Sequence, residues 1–104
     1  MKLVILRGES KGREFPLEEG ENLIGRWDPE AGAFPEVDLD EEDPEAKVSR
    51  KHAVIFNEGS RVELEDLDSR NGTFLNRERL DPGKRYSLSI GDEIIIGKTF
   101  LKVE

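Results

Sequence analysis

Apolar residues come in short runs along this chain, and turn-forming residues separate the runs about every ten positions. Val62 and Leu64, with Asp66 closing the same row, share one face, while Arg61, Glu63 and Glu65 share the other. That period of two is the mark of a strand with one buried side. The rhythm predicts strands at Lys2–Arg7, Arg13–Leu17, Asn22–Gly25, Val37–Leu39, His52–Glu58, Arg61–Leu67, Thr73–Leu75, Tyr86–Leu88, Glu93–Gly97 and Thr99–Glu104. Between them lie Gly8-Glu9-Ser10-Lys11-Gly12, Asn57-Glu58-Gly59-Ser60, Asp81-Pro82-Gly83 and Gly97-Lys98. Glycine supplies positive φ in such turns and proline presets φ. Many short strands joined by such turns predict an all-β sandwich or barrel.

Residues 27–48 break the rhythm. They hold Pro29, Pro35 and Pro44, and seven of the ten residues Glu36–Glu45 are acidic. The segment is expected to be a long surface loop, with a single helical turn over 43–48; long loops in small domains often carry function. Residues 1–104 read as one domain, and strands at both ends suit a unit cut from a longer protein.

Charge narrows the function classes. Net charge is −8, from 24 acidic and 16 basic residues. Such a body repels nucleic acid and anionic lipid, so neither is an expected partner. The chain has no cysteine, which excludes disulfides and thiolate metal sites and suits a reducing, cytoplasmic setting. No apolar stretch approaches the ~20 residues of a membrane helix, and the first residues read as a strand, not a signal peptide. The basic residues gather in small groups: Lys47, Arg50 and Lys51, then Arg70, Arg77 and Arg79, with Arg26 upstream. A small basic site on an acidic body suits one phosphate group; ordinary solvated charge is the alternative.

Three clusters sit at predicted strand ends: Ile24-Gly25-Arg26-Trp27, Ser49-Arg50-Lys51-His52 and Asp68-Ser69-Arg70-Asn71-Gly72-Thr73. A phosphoester needs a fork-shaped cation, short hydroxyl or backbone donors, and a rigid turn to hold them. These clusters offer all three. Catalysis fits less well. Ser49 and His52 need not meet in an extended segment, and no oxyanion-hole signature such as Gly-x-Ser-x-Gly accompanies them. One histidine without cysteine does not make the usual zinc sets. The acidic run lacks the spacing of an EF-hand calcium loop and reads as a solvated loop. Trp27 fits either a core position or partial exposure beside a pocket.

In this order, Gly25-Arg26, Ser49-x-x-His52 and Asn71-Gly72 resemble the forkhead-associated (FHA) domain family. Ile24, Ala53 and Thr73-Phe74-Leu75-Asn76 match the flanks, and Leu88-x-x-Gly91-Asp92-x-Ile94-x-Ile96-Gly97 resembles the last hairpin. The resemblance implies a twisted sandwich of about eleven strands whose loops grip a phosphothreonine peptide, with no cofactor, no metal and no enzymatic activity. It implies that Arg26 and Ser49 hold the phosphate and that Arg50 contacts phosphate or peptide. Ser69 and Arg70 would line the pocket, Asn71 would bond the peptide backbone, and Gly25, His52 and Gly72 would shape the loops. The implied partner is a phosphothreonine-bearing segment of another chain or of the same parent protein, a Ser/Thr kinase or its substrate among them.

Two features depart from the pattern. The connection 27–48 is longer than the family's usual one, and Arg77 stands where glycine commonly follows Asn76. The acidic run between Arg26 and Ser49 is expected to favour basic or neutral residues around the phosphothreonine.

Overall fold

The computed structural model describes residues 1–104 and is an all-β sandwich. Its strands are β1 (Lys2–Ile5), β2 (Glu14–Pro16), β3 (Gly20–Gly25), β4 (Val37–Asp38), β5 (Lys51–Asn57), β6 (Val62–Asp66), β7 (Thr73–Leu75), β8 (Glu78–Arg79), β9 (Arg85–Ser87), β10 (Glu93–Ile96) and β11 (Thr99–Val103). One sheet has the order β2-β1-β11-β10-β7-β8 and the other β4-β3-β5-β6-β9. All pairs are antiparallel except β3–β4, which is parallel through Ile24 and Val37. All ten predicted strands are present, most of them a residue or two shorter or shifted at their ends. The eleventh, β8, escaped the pattern because two exposed residues carry no periodicity.

The core lies between the sheets. Leu3 and Ile5 of β1, Ile24 of β3, Ile55 of β5, Leu64 of β6, Ile94 and Ile96 of β10 and Leu101 of β11 are fully or almost fully buried. Each such side chain contributes roughly 1.5–3 kcal/mol through removal from water. In β6 the predicted alternation is complete: Val62, Leu64 and Asp66 point inward. Asp66 is thus a buried carboxylate at the end of an apolar row, close to the loops that matter below.

The long connection between β3 and β5 is organised along its length. Two 3-10 turns, Pro29–Ala31 and Asp40–Glu42, flank β4. The helical turn expected over 43–48 therefore forms earlier. Asp43 is the reason: its Oδ1 accepts from the Lys47 amide at 2.7 Å and its Oδ2 from the Val48 amide at 2.8 Å. Those bonds hold 43–48 as a tight loop, with Ala46 at φ 53°. No helix of the structure is long and apolar enough to cross a membrane.

Candidate functional site

Glycine at position 25 decides how the site begins. The β3–β5 register slips between Ile24 and Gly25. At that slip the Arg50 carbonyl lies directly over Gly25, where a Cβ would collide with its oxygen and lie 2.7 Å from its carbon. The Arg26 amide then donates to the Arg50 oxygen at 3.1 Å. Arg26 leaves the sheet at a fixed angle, and its Nε donates to the Val48 carbonyl at 2.6 Å. The buried Asp43 carboxylate stands 3.7 Å from the same Nε. Neither terminal nitrogen of the guanidinium has a partner within the chain, so the fork of Arg26 stays open.

His52 fixes the second and third loops to each other. Its ring is fully buried. Nδ1 accepts the Ser49 amide at 3.0 Å, and Nε2 lies 2.9 Å from the Gly72 carbonyl oxygen. The amide needs an acceptor and the carbonyl a donor, so the ring is neutral with its proton on Nε2. Burial pushes the His52 pKa below its ordinary value, against the opposing pull of the Gly72 carbonyl and the Asp66 and Asp43 charges. His52 engages the Ser49 backbone rather than its hydroxyl, so the pair does not form a nucleophile and base.

The third loop turns on Asp66. Its Oδ1 accepts from the Ser69 hydroxyl at 2.6 Å and the Thr73 hydroxyl at 2.7 Å, and its Oδ2 from the Ser69 amide at 3.2 Å. Three directional bonds to one carboxylate hold residues 66–73 in shape. Gly72, at φ 83°, closes the turn. The loop then reaches the others: the Arg70 amide donates to Ser49 Oγ at 3.1 Å, and Asn71 Nδ2 donates to the Lys47 carbonyl at 2.8 Å.

These contacts enclose a groove of about 310 Å³ lined by Arg26, Ala46, Lys47, Val48, Ser49, Arg50 and Arg70. Four of the seven residues are cationic. Arg50 is held by Asp28, whose carboxylate is 2.5 Å from its Nε; Lys47 and Arg70 form no ion pair. Of the predicted site residues, Arg26, Ser49, Arg50 and Arg70 therefore line one groove. Asn71 borders it through Lys47. Ser69 does not face it, because its hydroxyl is engaged by buried Asp66. Gly25, His52 and Gly72 lie behind it. Sequence reasoning missed Lys47 as a site residue, although it stood in a basic cluster, and missed Asp43, which nothing distinguishes from its acidic neighbours until the chain is folded.

The acidic segment is largely engaged within the fold. The Glu36 carboxylate accepts the Leu23 amide, Asp38 accepts the amides of Trp27 and Asp40, and Asp43 holds Lys47 and Val48. Glu41 and Glu42 face Arg13, and Glu45 pairs with Lys98. No group of three potential ligands is placed to hold a metal ion. A larger groove of about 440 Å³ lies between the β1–β2 turn, this segment and the β10–β11 turn. It mixes Arg7 and Lys98 with Glu9, Glu41 and Glu42, so it concentrates no positive charge.

The FHA domain family profile matches residues 22–97, and the chain belongs to that family. It is 38% identical over 96 residues to the oxoglutarate dehydrogenase inhibitor of Corynebacterium jeikeium, covering 92% of this chain and 58% of that protein. The chain thus spans less than two thirds of that relative's length. A structure solved in a study of phosphothreonine-dependent FHA domain interactions superposes with a TM-score of 0.78 at 33% identity, covering 97% of this chain and 91% of the other. The FHA domain of FhaA, solved in complex with the intracellular domain of Rv3910, superposes with a TM-score of 0.79 at 31% identity, covering 99% and 98%.

Proposed function

We propose that this domain is a phosphothreonine-dependent interaction module that binds a phosphorylated segment of a partner, or of its own parent chain, and catalyses nothing. The observation that carries the reading is the convergence of Arg26, Lys47, Arg50 and Arg70 with the Ser49 hydroxyl in one groove, on a body of net charge −8. A phosphothreonine brings about −1.5 to −2 charge and three acceptor oxygens. The open fork of Arg26 offers two parallel donors to them. Ser49 Oγ already accepts the Arg70 amide, so its proton is free to donate outward. Asn71 uses one N–H on Lys47, which leaves its carbonyl oxygen for a peptide amide. Ser69 supports the loop through Asp66 and makes no direct contact.

Each charge-assisted bond contributes roughly 1.5–3 kcal/mol. Three or four, less the cost of ordering a peptide, correspond to about micromolar affinity. Calorimetry with a degenerate phosphothreonine peptide library and its unphosphorylated counterpart tests the reading. Binding should require the phosphate. Arg26→Ala should weaken it about tenfold or more while the domain stays folded, because a hydroxyl cannot replace a guanidinium fork. Unchanged affinity in a folded Arg26→Ala variant would refute the assignment.

A further inference from the structure

Next to the phosphate groove the chain displays two aromatic rings to solvent. Trp27 is 53% exposed and Phe34 is 52% exposed. They meet edge to face with centroids 5.2 Å apart. Exposed aromatic rings are unusual on a surface this highly charged, and folding gains little from them.

The rings are held out by a built scaffold. Asp28 and Ala33 form an antiparallel bridge, with amide-to-carbonyl bonds of 3.0 and 2.9 Å in the two directions. Between them the Asp28 side chain caps the 3-10 turn Pro29–Ala31, and Gly32 ends it at φ 69°. Ala33 is fully buried and Pro35 is buried on either side of Phe34. The Trp27 amide is anchored on the Asp38 carboxylate at 3.1 Å. A platform ordered in advance loses little entropy when it binds, and rigid aromatic anchors carry much of the energy at recognition surfaces.

The scaffold is joined to the groove twice. Trp27 follows Arg26 in the chain, and Asp28 grips Arg50 across the loop. The platform is therefore tied to two residues that line the phosphate groove, Arg26 through the chain and Arg50 through Asp28. We propose that the Trp27–Phe34 pair is a specificity site that receives one apolar side chain of the phosphorylated segment, a few residues from its phosphothreonine. The inference rests on the phosphate-binding reading above and adds a second determinant to it.

Trp27 is the single tryptophan of the chain, so its emission reports on the platform directly. The probe is an alanine-rich phosphothreonine peptide in which one leucine is moved through each position within about four residues of the phosphothreonine, a reach of ~13–14 Å. One position should bind about five- to tenfold tighter than the all-alanine peptide and shift the Trp27 emission to the blue. That gain should vanish in Trp27→Ala and in Phe34→Ala, both exposed positions, while phosphate dependence persists. A flat leucine scan with binding still phosphate-dependent overturns the platform alone. Lysine matching leucine at the selected position overturns the apolar occupant, because the rings would then be reading charge. Binding by the intact domain that ignores the phosphate overturns both readings.

Discussion

Replacing Gly25 with alanine isolates the contact from which the site is built. The backbone of Gly25 lies outside the left-handed region, so alanine suffers no conformational strain there. Its methyl group meets the Arg50 carbonyl instead, 2.7 Å from the carbon and nearer still to the oxygen, with the Ser49 oxygen at 3.2 Å. Both obstacles are backbone, so relief requires β3 and the start of β5 to part by about an ångström. Forced overpacking of this kind costs about 1–3 kcal/mol, and losing the Arg26 amide bond to Arg50 adds about 0.5–1.5 kcal/mol. A total of about 2–4 kcal/mol corresponds to a fall in Tm of roughly 10–25 °C for a domain of this size. The same movement displaces Arg26 from Ser49 and Arg50, so phosphopeptide affinity should fall about tenfold in whatever folded fraction remains. Gly20→Ala is the control. It has open space around a Cβ but sits at φ 92°, so it should cost only about 1 kcal/mol and leave binding intact. Calorimetric melting and peptide titration of the two variants give the answer. If Gly25→Ala melts within a degree or two of the parent and binds as well, the close approach does not hold the site.

Four further outcomes follow from the same geometry. His52→Ala strands the Ser49 amide and the Gly72 carbonyl in the interior and should cost about 2–4 kcal/mol, whereas Ser49→Ala, which loses one bond at an exposed amide, should cost less than about 1 kcal/mol; a larger fall in Tm for Ser49→Ala reverses these roles. Because the folded His52 pKa is lowered, the unfolded chain binds more protons below about pH 6.5. The His52 contribution to stability should thus be complete above that pH and be lost as pH falls through it towards the folded pKa; denaturant melts between pH 7.5 and 5.5 that fall equally for the parent and His52→Ala contradict this. Arg77 occupies φ 71°, the turn position where glycine is unstrained, and is held by a fork to Glu93 at 2.8 and 3.4 Å. Exposed pairs contribute little, so Arg77→Gly should leave stability level or raise it by up to about 1 kcal/mol, and a loss above about 1 kcal/mol in denaturant melts shows the fork to be the stronger effect. Changing exposed Asp40 and Glu41 to Asn and Gln should weaken any preference for basic residues near the phosphothreonine without loosening the loop, whose backbone is held by Asp38 and Asp43; an unchanged library selection ends the steering idea.

The strand rhythm was legible because burial on one face forces a period of two, and β6 shows it without exception. The order Gly25-Arg26, Ser49-x-x-His52, Asn71-Gly72 was equally legible, since motif residues keep their spacing however the chain folds. Position in the fold was not. Asp43 and Asp40 belong to the same acidic run, yet one is buried beside Arg26 and the other is exposed. Ser49 and Ser69 each lie in a phosphate-like cluster, yet a buried carboxylate 2.6 Å away engages only Ser69. Lys47 joins the groove because Asp43 in its own loop, and Asn71 and Gly97 from two distant parts of the chain, converge on its backbone and Cβ. The sequence by itself determined which residue types could hold a phosphate and which segments would be strands, for these depend on local chemistry and periodicity. Only the tertiary structure decided which side chains face the groove, because that depends on where separate loops meet and which polar groups satisfy one another there.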